Sequence, residues 1–452
     1  MTVGAGPAVR SRTGASTRRV LGLELRRSPA IGVVLVMSVS GVWSLRAATF
    51  GDAGWAGGGG TLSQISAFMG PLIATAAAWS AGREGRRQAQ ELLAATPRPP
   101  AQRLLMTWGA TAVATLTGFL VLAATLAAAI APAVSDNTGN WPVTWILTLL
   151  GLITCSALGF TAGRLYPHRL TPPLIGVGLF FWIGNATLGG WIAHLAPVGQ
   201  LESTDATRLT SGFILPLLVW PIAITGTALV LVMARQPRWA AIGALIATVA
   251  ALNLSDYSEG TDRVWYEPDP KAVAQTCTTD EPQVCVLAGH AGYLPAVTPV
   301  ARESLRRAQR YLPITRAAEE NPLAEGAPGR PDTLPLYLSH QSVPFSSRLR
   351  DVGEIRSSAG GLVSPTCPGF EVHDAGPLPP IAIAAAAAII SGTAHGDTAA
   401  EMAGVEIDDP VAVAALHRRV TATPRTQDDW MHRYLRAARH CDMPALTRLA
   451  QG

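Results

Sequence analysis

The chain has 452 residues, of which 48% are hydrophobic and only 15% charged, with a mean hydropathy of +0.26. Soluble globular chains carry about 25% charged residues, so these values exclude a single large soluble enzyme, and the apolar content excludes a disordered chain. The net charge of +4 hides a split: residues 1–254 hold 17 basic and 7 acidic side chains, and residues 255–452 hold 18 basic and 24 acidic ones.

Residues 16–28 mix Val20, Leu21, Leu23 and Leu25 with Arg18, Arg19, Arg26 and Arg27. A helix of that pattern lies in the membrane interface with its basic side toward anionic lipid. Residues 1–29 are thus expected to form a cytoplasmic N-terminus. Residues 30–254 are expected to form a transmembrane domain of about seven helices. Its apolar stretches run about 30–49, 64–82, 107–132, 143–163, 174–196, 211–234 and 238–254. Each has or approaches the roughly 20 residues that cross about 30 Å of hydrocarbon. The first run is long and lacks a clear cleavage site, which fits a removable signal peptide poorly.

Between the second and third stretches lies the longest basic connection, Gly82-Arg83-Glu84-Gly85-Arg86-Arg87 followed by Glu91-Leu92-Leu93-Ala94-Ala95-Thr96. Ala89, Leu92, Leu93 and Thr96 recur at helical spacing, and Pro97, Pro99 and Pro100 stop the pattern. A charge run like this also serves simply as a solvated stretch that fixes topology.

Polar groups inside spans are costly and therefore candidates for function. Asn185 and His194 in the fifth stretch stand out; no Asp or Glu lies clearly in mid-membrane, which argues against a proton-driven transporter. Asn185 is expected to hydrogen-bond a neighbouring helix, and His194 to sit at an interface. Gly176, Gly178, Gly184, Gly189 and Gly190 allow close helix approach.

Orientation follows from arginine counts in short loops. The N-terminus and alternate loops hold 15 arginines; the opposite loops hold Arg208, with Arg46 at a helix end. That bias places the N-terminus in the cytoplasm of a multi-pass plasma-membrane protein. Seven crossings then put residues 255–452 outside. Cysteine usage agrees: Cys277, Cys285, Cys367 and Cys441 all lie in that half, as an oxidised domain would have them. Cys277–Cys285 with Cys367–Cys441 is the favoured pairing, because the first closes a short loop, and the two other pairings stay open.

The second half is expected to be mixed and mainly helical, beginning with a polar stem at 255–275. Residues 284–287 read as a short strand, 300–312 as an amphipathic helix and 321–335 as a loop. Residues 381–394 read as a buried helix too short to span, and 411–421 and 427–440 as further helices. Its histidines match no common zinc spacing. Ser346, His373 and Asp374 can be drawn as a triad, but any domain of this size offers such a set. Lys271, the only lysine, has no glycines before it, so the chain lacks a phosphate-binding loop. No Gly-x-Ser-x-Gly, His-Glu-x-x-His or Cys-x-x-Cys occurs, and an acidic domain without basic-aromatic patches is a poor nucleic-acid binder. No catalytic residue, metal or cofactor is expected.

The N-terminal interfacial helix, the six-span core and the Gly-Arg-Glu-Gly-Arg-Arg…Glu-Leu-Leu-Ala-Ala-Thr-Pro-Arg-Pro connection resemble the permease subunits of type-2 ABC transporters. The form with a C-terminal extracytoplasmic extension looks actinobacterial. The resemblance covers about residues 16–234 and rests on layout and one loop. It implies a six-helix all-α membrane core, here followed by a seventh helix and an external domain. It further implies a homo- or heterodimer of permeases in the lipid bilayer and a separate P-loop ATPase. That ATPase would dock on Arg83, Glu84, Arg86, Arg87, Glu91, Leu92 and Leu93. An exporter permease is the leading expectation. The rivals are a membrane-anchored sensor or assembly protein and, behind it, a membrane-bound hydrolase using the external domain.

Overall fold

The computed structural model describes residues 30–47, 54–87, 99–131, 139–186, 195–199, 201, 207–233, 237–255, 265–319, 332–336, 338, 355, 362–363, 378–392 and 410–451. The interfacial helix expected at 16–28 lies outside them. Among the described residues up to Ser255, the helices are α1 (Ala30–Ala47), α2 (Trp55–Arg86), α3 (Pro100–Ile130), α4 (Trp141–Leu165), α5 (Thr171–Ala186), α6 (Ser211–Met233) and α7 (Pro237–Ser255). Among the described residues, five are long and apolar enough to cross a membrane: α2, α3, α4, α6, and α7 from Arg238. The apolar part of α1 covers only Ile31–Trp43, and α5 has 16 residues.

Close backbone contacts fix the helix directions. A Cβ on Gly159 would sit 2.1 Å from the Ala74 carbonyl oxygen, and one on Gly163 would sit 2.2 Å from that of Ala78. Gly70 meets Cys155 and Gly59 meets Thr144 with the same spacing in sequence. So α2 and α4 run parallel in nearly constant register, joined by a small-xxx-small seam that lets dispersion act between backbones. Of the fifth-stretch glycines that are described, Gly176 packs on the Thr75 side chain while Gly178 and Gly184 face open space, so the close helix-to-helix backbone approach belongs to this seam.

Helix α6 is parallel to α4 as well. The Thr154 hydroxyl donates to the Pro221 carbonyl (3.1 Å) and Thr161 to that of Ala228 (2.8 Å). Gly118 against Met37 and Gly41 against Leu122 set α1 parallel to α3. Leu104, near the start of α3, clusters with Ala77 and Ala81 near the end of α2, while Ile130 meets Gly58 at the opposite end. Helix α3 is therefore antiparallel to α2. Gly176 beside Thr75 and Ile183 beside Gly70 make α5 antiparallel to α2 also. Successive helices thus alternate in direction through α6, and Leu254 of α7 returns to the cluster of Phe213 and Leu217 that opens α6.

The two ends of this bundle differ. At one, Ala77, Ala81, Leu104 and Phe160 pack with Leu229, Val232 and Met233, next to the arginine-rich turns. At the other, Trp55 stacks on Trp141 (4.9 Å) and Trp145 closes the cluster. There β1 (Thr207–Leu209) pairs antiparallel with β2 (Tyr266–Pro268). The Arg208–Glu267 ion pair (2.8 Å) bridges the two strands, while the Gly139 N–H bond to the Asp269 carboxylate (2.7 Å) and the Asn140 amide bond to the Leu209 carbonyl (3.0 Å) hold this ribbon on the bundle. The expected polar stem is therefore partly a docked strand.

The remaining chain folds around a mixed sheet of order β3 (Gln275–Cys277), β4 (Val284–Leu287), β5 (Arg316–Glu319), β6 (Thr333–Leu336). β3 and β4 form an antiparallel hairpin; β4, β5 and β6 are parallel. A 3-10 turn (Ala288–Tyr293) and α8 (Leu294–Ala308) connect β4 to β5, as parallel pairing requires. The buried helix α9 (Leu378–Ser391) is the centre of the core, with residues 381–388 almost inaccessible. Against it pack α10 (Pro410–Val420), α11 (Pro424–Arg439) and α12 (Met443–Gln451). The half is a mixed α/β unit; β6 falls within the segment expected to be loop, and α12 was not anticipated.

Candidate functional site

The arginine-rich end holds the described part of the expected docking loop. Its first residues belong to a helix: α2 continues to Arg86, and the Arg87 N–H caps it by donating to the Arg83 carbonyl (3.2 Å). Glu84 does not project freely. Its carboxylate meets the Arg164 guanidinium at 3.1 Å, each side chain 27% exposed, and so ties the last turn of α2 to that of α4. Arg86 folds back over its own helix, donating to the Trp79 carbonyl (2.6 Å) with its guanidinium 4.7 Å from the Trp79 ring centroid. Gly82 makes room for this, since a Cβ there would meet Arg86 and the Gly163 carbonyl. Arg87 is exposed. Glu91, Leu92 and Leu93 lie outside the described residues. Cations at the C-terminal ends of α2 and α4 also suit the helix dipoles.

A second feature lies deeper. Helix α5 is described as far as Ala186, and residues 195–199 and 201, which follow in the chain, are largely non-helical. The Pro197 carbonyl lies where a Cβ on Gly151 would need to be, Val198 packs on Gly70, and Gly199 takes a positive φ of 87° beside Ala67. The Leu201 N–H donates to Ser63 Oγ (3.2 Å) and the Trp220 indole to the Leu195 carbonyl (3.3 Å). Side chains of α2, α4 and α6 thus clasp this strap around a cavity of about 30 Å³ bordered by Ser63, Thr148 and Pro221. Irregular backbone at membrane depth is tolerated only when buried in protein. The adjoining α4–α6 seam carries a threonine network: the Thr154 hydroxyl also lies 3.0 Å from that of Thr225.

Asn185, expected to reach another helix, instead donates to the Phe181 carbonyl of its own turn (2.7 Å) and is exposed. Its amide satisfies the backbone locally, and among the described residues it makes no hydrogen bond to another helix. His194 lies outside the described residues, as do Ser346, His373, Asp374 and Cys367. Cys277 and Cys285 face each other across the β3–β4 hairpin in a disulfide, Cα atoms 4.0 Å apart. Cys441 is disulfide-bonded too. Among the described residues no three His, Cys, Asp or Glu side chains gather as metal ligands.

Sequence reasoning missed one buried polar pair. His290 Nδ1 lies 2.6 Å from Glu319 Oε1, both side chains under a tenth exposed, and Glu319 Oε2 accepts the Leu287 N–H (2.8 Å). The pair staples the 3-10 turn to β5. Nothing in a separation of 29 residues signals it. No protein-family model matches the chain, and no curated protein or solved structure is similar to it.

Proposed function

We propose that the chain is the permease subunit of a type-2 ATP-binding-cassette exporter. Its arginine-rich end faces the cytoplasm, and residues 255–452 lie outside. The chain crosses the membrane seven times, with α5 and the strap at 195–201 together making the fifth crossing. The alternating helix directions and the arginine bias support that topology.

One observation carries the coupling role. At constant α2–α4 register, Arg86 stands about 9 Å beyond the last turn of α4, six residues at 1.5 Å each. The Glu84–Arg164 pair lies at the base of this projection. A push on residues 88–98 therefore acts on α2, and through the glycine seam and the threonine bonds on α4 and α6. Those helices also clasp the strap, so the same push reaches the irregular backbone, where broken-helix transporters place their sites. A separate ATPase docked on the exposed Arg87 and on Glu91, Leu92 and Leu93 supplies it; the permeases act as a pair.

The reading is tested by purifying the tagged chain in mild detergent, wild type beside Leu92→Glu/Leu93→Glu, and identifying partners by mass spectrometry. A P-loop ATPase is expected with the wild type and lost in the variant. Its absence from both samples across several detergents overturns the transporter reading and moves attention to the external domain as a sensor.

A further inference from the structure

The last three helices carry charge opposite to the rest of their half. Residues 410–452 hold seven Arg against three Asp, whereas residues 255–409 hold 11 basic and 21 acidic side chains. On α11, Arg433, Arg436 and His440 are spaced three and four apart, so they share one exposed stripe. Arg448 approaches from α12, and together they line a cavity of about 440 Å³, within the range of small-molecule sites. The cavity floor includes Trp430, which is 2% exposed and fixed by its indole N–H to the Leu449 carbonyl (3.3 Å).

Among the described residues that line the cavity, the guanidiniums outnumber the carboxylates three to one. The acidic residue in the lining, Asp442, uses its carboxylate to accept the Ala445 N–H (3.0 Å) at the start of α12. Among the described residues no carboxylate forms an ion pair with Arg433, Arg436 or Arg448. The crowding extends to Arg419, whose pKa is lowered by burial and then by Arg433 and Arg418. Three guanidiniums beside one carboxylate leave the site net positive, and a bound anion relieves the repulsion among them.

We infer that the α11–α12 cavity binds a small phosphoryl-bearing ligand, its oxygens held by Arg433, Arg436 and Arg448 and its apolar part set against Trp430. Three guanidiniums exceed the charge of one carboxylate and match a phosphoryl dianion, whose oxygens accept their forked donors. The phosphoryl group comes from a free metabolite or from a lipid headgroup.

The test uses the full chain in phosphatidylcholine nanodiscs, titrated calorimetrically with inorganic pyrophosphate. Saturable binding is expected, weakened about tenfold in Arg436→Ala and again in Arg436→Ala/Arg448→Ala, the loss of one charge-assisted contact each time. Arg425→Ala, outside the cavity, should bind as the wild type does. Adding phosphatidylglycerol to the discs separates the sources: competition with pyrophosphate identifies a headgroup, and unchanged affinity a free ligand. No saturable binding, or equal weakening by Arg425→Ala, overturns the inference.

Discussion

Glu319 shows how much one side chain can hold in this protein. Its two oxygens serve a buried histidine and a buried backbone amide, so truncation strands both. Glu319→Ala should destabilise the C-terminal half by about 3 kcal/mol or more, and Glu319→Gln, which keeps the acceptor for the Leu287 amide, by less. Denaturant unfolding followed through Trp430 fluorescence reads the difference. Tyr311 offers a pH test. Burial first, and then its hydrogen bond to Asp428, raise its pKa to about 12. The folded state therefore keeps this proton at pH values where the unfolded chain, near 10, has released it. Its stabilising contribution is complete below about pH 10 and lost as pH rises through about 12. In an absorbance titration, Tyr311→Phe should remove amplitude from the late alkaline phase and lessen the loss of stability across that window.

At the scale of elements, the α2–α4 seam bears most of the argument. Gly159 faces a backbone oxygen rather than a flexible side chain, so even one methyl group forces the helices apart. Gly159→Ala should cost about 1–3 kcal/mol and lower the thermal stability of the detergent-solubilised protein, while Gly178→Ala, which faces open space, leaves it unchanged. Elements were legible in the sequence where one periodicity ruled a long segment. The amphipathic helix expected at 300–312 buries Leu305 and Ala308, the one expected at 427–440 buries Trp430, Tyr434 and Leu435, and the apolar run from 381 is a buried helix as far as Ser391. The parallel strands were not legible, since Arg316–Glu319 and Thr333–Leu336 are four residues each with little alternation. Nor was the irregular backbone at 195–199, because hydropathy records that residues avoid water, not that they are helical. The Gly159–Gly163 spacing was visible but did not name its partner, because contact across 85 residues depends on how the helices are threaded.

For the whole molecule, the proposed orientation rests on the alternating helix directions and on the arginine-rich end of the bundle, with the β1–β2 ribbon at the opposite end. After mild reduction of intact cells, a membrane-impermeant maleimide should label Cys277 and Cys441; labelling only after lysis would reverse the orientation. The split character of the chain, a basic apolar half before an acidic, more polar half, was legible from composition alone. The docking of the second half on the first was not, since it depends on pairs such as Gly139 with Asp269, 130 residues apart. In the proposed exporter, residues 88–98 transmit force from a separate ATPase into the α2–α4–α6 slab. A photo-cross-linking amino acid at position 92, activated in living cells and analysed by mass spectrometry, tests it most directly. The account predicts an adduct with a P-loop ATPase subunit; adducts with lipid or other proteins alone, at position 92 and its neighbours, would contradict it.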